Sequence, residues 1–134
     1  MVNWLVILGT ALAGYLVGWL WYGPLFEKQW MKLNGFSKKD MEKSKKEGMA
    51  KTYLAGFLAT VIMAYVLSMF VKLALAVTFV DGALVGLWLW LGFIATTLFG
   101  KVLWENKPFK LYLLDSLHYL VVLAVMGGIF AVWV

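Results

Sequence analysis

Two residues in this 134-residue sequence bring titratable chemistry into an otherwise apolar stretch: Asp115 and His118. They are three positions apart, so on a helix they share one face, and Tyr112 and Tyr119 share it with them. A carboxylate beside an imidazole suits proton or cation handling, because histidine changes charge near physiological pH. Asp115 would hold the ion, His118 would pass or gate it, and Tyr112 or Tyr119 would complete the hydrogen bonding. Counted from Leu111, Asp115 lies about 6 Å along the helix and His118 about 10 Å. A lone charge at the centre of a membrane helix costs about 2.5–3.5 kcal/mol on insertion scales, so such a residue is usually paired or functional. A purely structural role stands beside the functional one. Lys101 is about one turn from the end of the preceding helix and is a partner for Asp115, while Thr96, Thr97 or a backbone carbonyl can take a hydrogen bond from His118.

Other chemistries are poorly supplied. Asp115, Ser116 and His118 make a hydrolase trio by composition only. Three residues in one helical turn diverge and cannot relay a proton in the order a nucleophile needs, so no enzyme is expected. There is one histidine and no cysteine. A zinc site needs three or four ligands, drawn largely from those two residue types, so neither a metal nor another cofactor is expected within one subunit. All 12 basic residues are lysine. Without arginine the chain lacks the planar fork that grips phosphate, which argues against a nucleotide or nucleic-acid partner.

The elements that must position these residues follow from composition. Apolar residues make up 63% of the chain and charged ones 14%, against about 45–50% and 25% in soluble domains. The surface of such a chain belongs in lipid. One domain, 1–134, is expected, with membrane helices at about 2–22, 53–80, 83–104 and 111–134. The first run is long enough to cross a hydrocarbon core of roughly 30 Å. It lacks a basic leader and a cleavage site at its end, so it reads as a retained helix. Asp81-Gly82 reads as a tight turn between the second and third helices. Short connections make the second and third, and the third and fourth, antiparallel neighbours.

The loop 23–52 holds eight of the lysines, and Lys107 and Lys110 lie in the last connection. By the positive-inside rule both face the cytoplasm, which leaves both termini outside. The setting is then the cell (inner) membrane. Within the long loop Ser37 fits an N-cap, Asp40 sits three residues on, and Phe36 can staple onto Met41. With Gly48 as a stop, this predicts a short cytoplasmic surface helix near 38–47. Its lysines Lys38, Lys39, Lys43, Lys45 and Lys46 are candidates for anionic-lipid contact. The fold class is thus all-α, a four-helix membrane bundle.

Small residues mark where helices approach in lipid. Gly14, Gly18, Gly56, Gly86, Gly92, Gly100 and Gly127 are the candidate packing positions, and with several such stripes a homo-oligomer is expected.

The stretch Tyr22-Gly23-Pro24-Leu25-Phe26 with Trp30-Met31-Lys32-Leu33, then Leu91-Gly92-Phe93, Lys107-Pro108 and Met126-Gly127, resembles a family of bacterial and archaeal membrane proteins, domain of unknown function 1761. The resemblance spans nearly the whole chain and implies four membrane helices. It implies no activity. Two functional expectations follow from the residues themselves. The first is an oligomeric proton- or cation-linked transporter or channel. The second is a non-transporting accessory subunit or lipid-binding scaffold.

Overall fold

A computed structural model describes residues 3–35, 37, 39–40, 42–43 and 50–133. The described residues are helical, with no strand among them. Four helices are long and apolar enough to cross a membrane: Trp4–Leu25, Ala50–Leu73, Phe79–Trp104 and Phe109–Val132. We call them the first to fourth spans.

The first span starts where Asn3 caps it, its side chain accepting from the Leu5 and Val6 N–H groups at 3.1 and 3.3 Å. It does not stop at Gly23-Pro24, as expected, but runs to Leu25 through a π-helical turn at Trp21–Leu25. Proline has no N–H to close an ordinary turn, and the wider loop is closed by the Phe26 N–H donating to the Trp21 carbonyl at 2.9 Å. A short helix the sequence reading missed follows at Glu27–Asn34 and ends on Gly35, whose φ of +73° is the left-handed conformation glycine allows.

The next two boundaries are corrections. The second span ends at Leu73, well short of residue 80, and the third begins at Phe79. Asp81-Gly82 is therefore not the turn; it lies inside the first turns of the third span, which Thr78 caps by accepting from the Asp81 N–H at 3.1 Å. The true joint turns on Leu75, at φ +56°. The third span carries a second π-helical turn, Trp90–Ala95.

The fourth span is the hub. It packs most extensively on the third span, then on the first and the second, whereas the second and third touch little despite their short joint. Its residues Val122, Leu123, Met126 and Phe130 join Ile7 and Ala11 of the first span and Leu67 and Val71 of the second in one core. The outward faces remain apolar: Ile62 is 66% exposed and Phe93 67%. In water such faces would be costly, but in hydrocarbon they are solvated. The glycines that permit close approach are Gly82, Gly86 and Gly127. A Cβ on Gly82 would strike the Gly127 carbonyl, and one on Gly86 the Leu123 carbonyl.

Of the expected surface helix near 38–47, residues 38, 41 and 44–47 lie outside the described residues, as do Phe36 and Gly48. Lys38, Lys45 and Lys46 are among them, while Lys39 and Lys43 are exposed. Ser37 and Asp40 bond reciprocally: the Ser37 N–H donates to Asp40 Oδ2 at 2.9 Å and the Asp40 N–H to Ser37 Oγ at 3.2 Å.

Candidate functional site

The two π-helical turns grip the same stretch of the fourth span. From the first span, Trp21 Nε1 donates to the Leu114 carbonyl at 3.1 Å and the Tyr22 hydroxyl donates to Asp115 Oδ1 at 2.6 Å. From the third span, Trp90 Nε1 donates to the Ser116 carbonyl at 2.7 Å. In return the Tyr112 hydroxyl donates to the Ala95 carbonyl at 2.8 Å. Neighbouring residues on a regular helix point about 100° apart. Trp21 and Tyr22, at the head of the wide turn Trp21–Leu25, both reach the fourth span. Inserted turns of this kind often mark functional positions.

Asp115 therefore meets a phenol, not Lys101. Lys101 is exposed, and no ion pair among the described residues reaches Asp115. His118 likewise turns toward the first span. Its ring lies 4.9 Å from that of Tyr22 and 6.3 Å from that of Trp21, and a Cβ on Gly18 would stand 2.7 Å from its Nε2. Thr96 and Thr97, the expected partners, are exposed on the third span, and Thr96 Oγ1 donates to its own helix at the Gly92 carbonyl, 2.8 Å away. The Nδ1 atom of His118 is buried without a hydrogen-bond partner.

The four-residue face is divided. Asp115, His118 and Tyr119 gather with Tyr22, and the Tyr119 ring lies 4.7 Å from His118. Tyr112 leaves this group for the third span, where its ring also meets Phe99 at 5.4 Å. Ser116 is buried with its hydroxyl unpartnered. Among the described residues no three His, Asp or Glu side chains are grouped to hold a metal ion.

A cleft of about 580 Å³ opens beside the cluster, between the first, second and fourth spans. Glu27, Tyr22 and Tyr53 stand toward the end where the first span finishes and the second begins, and Gly14, Met63 and Val122 lie deeper. His118 and Tyr119 form part of the wall. Gly18 and Gly56 also line it, and their missing side chains leave room for the His118 ring and the Tyr15 hydroxyl. A Cβ on Gly56 would stand 3.3 Å from the Tyr15 hydroxyl, which itself donates to the Tyr53 carbonyl at 2.8 Å.

The model of a family described as protein of unknown function, DUF1761, matches residues 4–131. The chain belongs to that family. The match takes in all four spans and the cluster, and with the four apolar helices it makes this a multi-pass membrane protein of unknown function. No curated protein and no solved structure matches the chain.

Three members of the site went unnoticed in the sequence: Tyr22, Trp21 and Trp90. Tyr22 enters there only in the stretch that carries the family resemblance. A signal was present, since a buried phenol or indole needs a partner for its polar atom and Pro24 two residues on marks an irregular turn. Of the candidate packing glycines, Gly14, Gly18, Gly56, Gly86 and Gly127 face other spans. Gly92 has open space where a side chain would be, and Gly100 meets only its own helix, at Trp104.

Proposed function

We propose that this protein is a small proton- or cation-linked transporter or channel in which Asp115, hydrogen-bonded to Tyr22 and next to His118, is the ion-binding group. The carrying observation is the 2.6 Å Tyr22–Asp115 contact with His118 packed on the Tyr22 ring beside an open cleft. A carboxyl group held by one phenol exchanges a proton at little structural cost, because the partner is neutral and stays in place. His118, with an unpartnered nitrogen, supplies a second acceptor, its ring 4.9 Å from that of Tyr22. Tyr119 completes this group, while Tyr112 and Lys101 lie apart from it. The reading is non-enzymatic, and the buried Ser116 hydroxyl has no part in it.

On this proposal the lysine-rich segments face the cytoplasm, both termini lie outside and the cleft opens inward, following the lysine distribution. The protein sits in the cell membrane as a homo-oligomer; support comes from Gly92 and Gly100, small residues facing outward with no neighbouring span upon them. Its other partners are membrane lipids, with Lys39 and Lys43 among the exposed cations.

The test is reconstitution in liposomes with a pH-sensitive dye inside. An imposed potential should drive proton or cation entry above that of empty liposomes, and Asp115→Asn should abolish it. Wild-type flux equal to that of empty liposomes, or an unchanged Asp115→Asn variant, would sink the reading. The second reading, a lipid-binding accessory protein, is favoured by the aromatic walls of the cleft and gains if a stoichiometric membrane partner co-purifies.

A further inference from the structure

The cleft beside the cluster is larger than an ion or proton path requires. At about 580 Å³ it falls within the roughly 300–1,000 Å³ typical of small-molecule sites. Five aromatic side chains line it, Tyr15, Trp19, Tyr22, Tyr53 and Tyr119, with the His118 ring among them. Among the described residues its one carboxylate is Glu27, and no lysine lines it. Asp115 stands directly behind Tyr22. Among the described residues the walls thus offer ring faces and negative charge and no lysine.

Ring faces attract cations through their quadrupole, most strongly where water is excluded. Apolar walls favour a hydrophobic body. The two together select a molecule that is both positively charged and greasy. We propose that this cleft is a binding site for a lipophilic organic monocation, with the aromatic rings around the charge and Glu27 at the mouth. A zwitterionic phospholipid carries a similar ammonium head, but it would bring its phosphate against Glu27 and Asp115 with no lysine among the described lining residues to offset it. A free cation therefore fits the charge pattern better. The assignment deepens the transport reading and rests on it for any movement of the ligand, whereas binding is measurable by itself.

The experiment titrates the full chain, in an uncharged maltoside detergent, with tetraphenylphosphonium by calorimetry. Triphenylphosphine oxide is the neutral control and tetraphenylborate the anionic one. Saturable binding of the cation alone is expected. Glu27→Gln should weaken it about fivefold, the scale of one exposed charge pair, and Trp19→Leu by a similar factor. Both side chains are exposed, so neither change disturbs the core, and circular dichroism of each variant should match wild type. The proposal is overturned by absence of saturable binding, by equal binding of the neutral or anionic probe, or by affinity indifferent to both substitutions. Full displacement by equimolar phosphatidylcholine would also overturn it. Proton flux without cation binding would remove this site and leave the transport reading intact; cation binding without flux would do the reverse.

Discussion

Gly82 and Gly127 stand backbone against backbone, and a Cβ on either would run into the carbonyl oxygen of the other. That contact joins the third and fourth spans. Hydrophobic burial cannot hold two helices together in lipid, so close packing must do it, and the closest packing here depends on two absent side chains.

Gly127→Ala should therefore separate the spans, although alanine is the better helix former. Overpacking a tight contact costs typically about 1–3 kcal/mol. Gly92→Ala is the control within one subunit, because nothing of its own chain lies within 4 Å of the added carbon; in micelles that hold single subunits it should be neutral, or stabilising by up to about 1 kcal/mol. Unfolding in mixed micelles followed by circular dichroism compares them. If alanine at Gly127 were as harmless as at Gly92, the proposed backbone contact would be wrong.

Leu75 provides a second test. It closes the C-terminus of the second span in the left-handed conformation, with its N–H donating to the Lys72 carbonyl at 3.0 Å and the Ala76 N–H to the Val71 carbonyl at 3.3 Å. Such a cap normally uses glycine, and a larger residue there costs about 1–2 kcal/mol. Leu75 is also 83% exposed, so removing its side chain sacrifices little packing. Leu75→Gly should raise stability by about 1 kcal/mol, part of the relief being lost to glycine's freedom in the unfolded chain. A lower unfolding midpoint than wild type would contradict this.

The same residue shows where sequence reasoning reaches its limit. Four apolar runs, each long enough to cross a bilayer, are legible because length and hydropathy are properties of the chain alone. The end of the second run is not, since Leu73 through Val80 contains no glycine or proline and the cap falls on a leucine. Asp115 and His118 were recognisable as polar residues in an apolar helix. Their partners were not, because Tyr22 meets Asp115 from the π-helical turn Trp21–Leu25 that contains Pro24, and helical periodicity says nothing about a turn that breaks it. Thr96 seemed a natural partner for His118 until its hydroxyl proved to be bonded to its own helix at Gly92.

The lysine-rich segment has its own pH response. The Ser37 backbone N–H, and after it the Ser37 hydroxyl, hold the Asp40 carboxyl below its ordinary value of 3.8. A group whose folded pKa is depressed stabilises its structure above the unfolded value and loses that contribution as pH falls through the folded one. The Ser37–Asp40 turn should thus be intact above pH 3.8 and weaken below it. Carbon-13 NMR of the carboxyl should show Asp40 titrating below 3.8, and Ser37→Ala, which removes the hydroxyl but keeps the N–H, should return it only part of the way. A wild-type Asp40 midpoint at or above 3.8 would show that the contact does not form.

The Tyr22–Asp115 contact makes a stronger demand. Tyr22→Phe keeps the ring against His118 and removes only the donor, leaving a half-buried carboxyl group unpartnered in a setting with little water. Loss of such a bond costs about 1–3 kcal/mol. Asp115→Asn retains a carbonyl oxygen that the same hydroxyl can reach, so it should cost less stability than Tyr22→Phe while removing the group that carries the proton. The two substitutions therefore separate in opposite directions: one harms the fold more, the other harms flux more. In a double-mutant cycle Tyr22→Phe and Asp115→Ala should couple by about 1 kcal/mol or more, since residues in direct contact do not act additively. Additive effects on unfolding would mean that the hydroxyl and the carboxyl group do not meet, and the proton-carrying role proposed for Asp115 would lose its geometric basis.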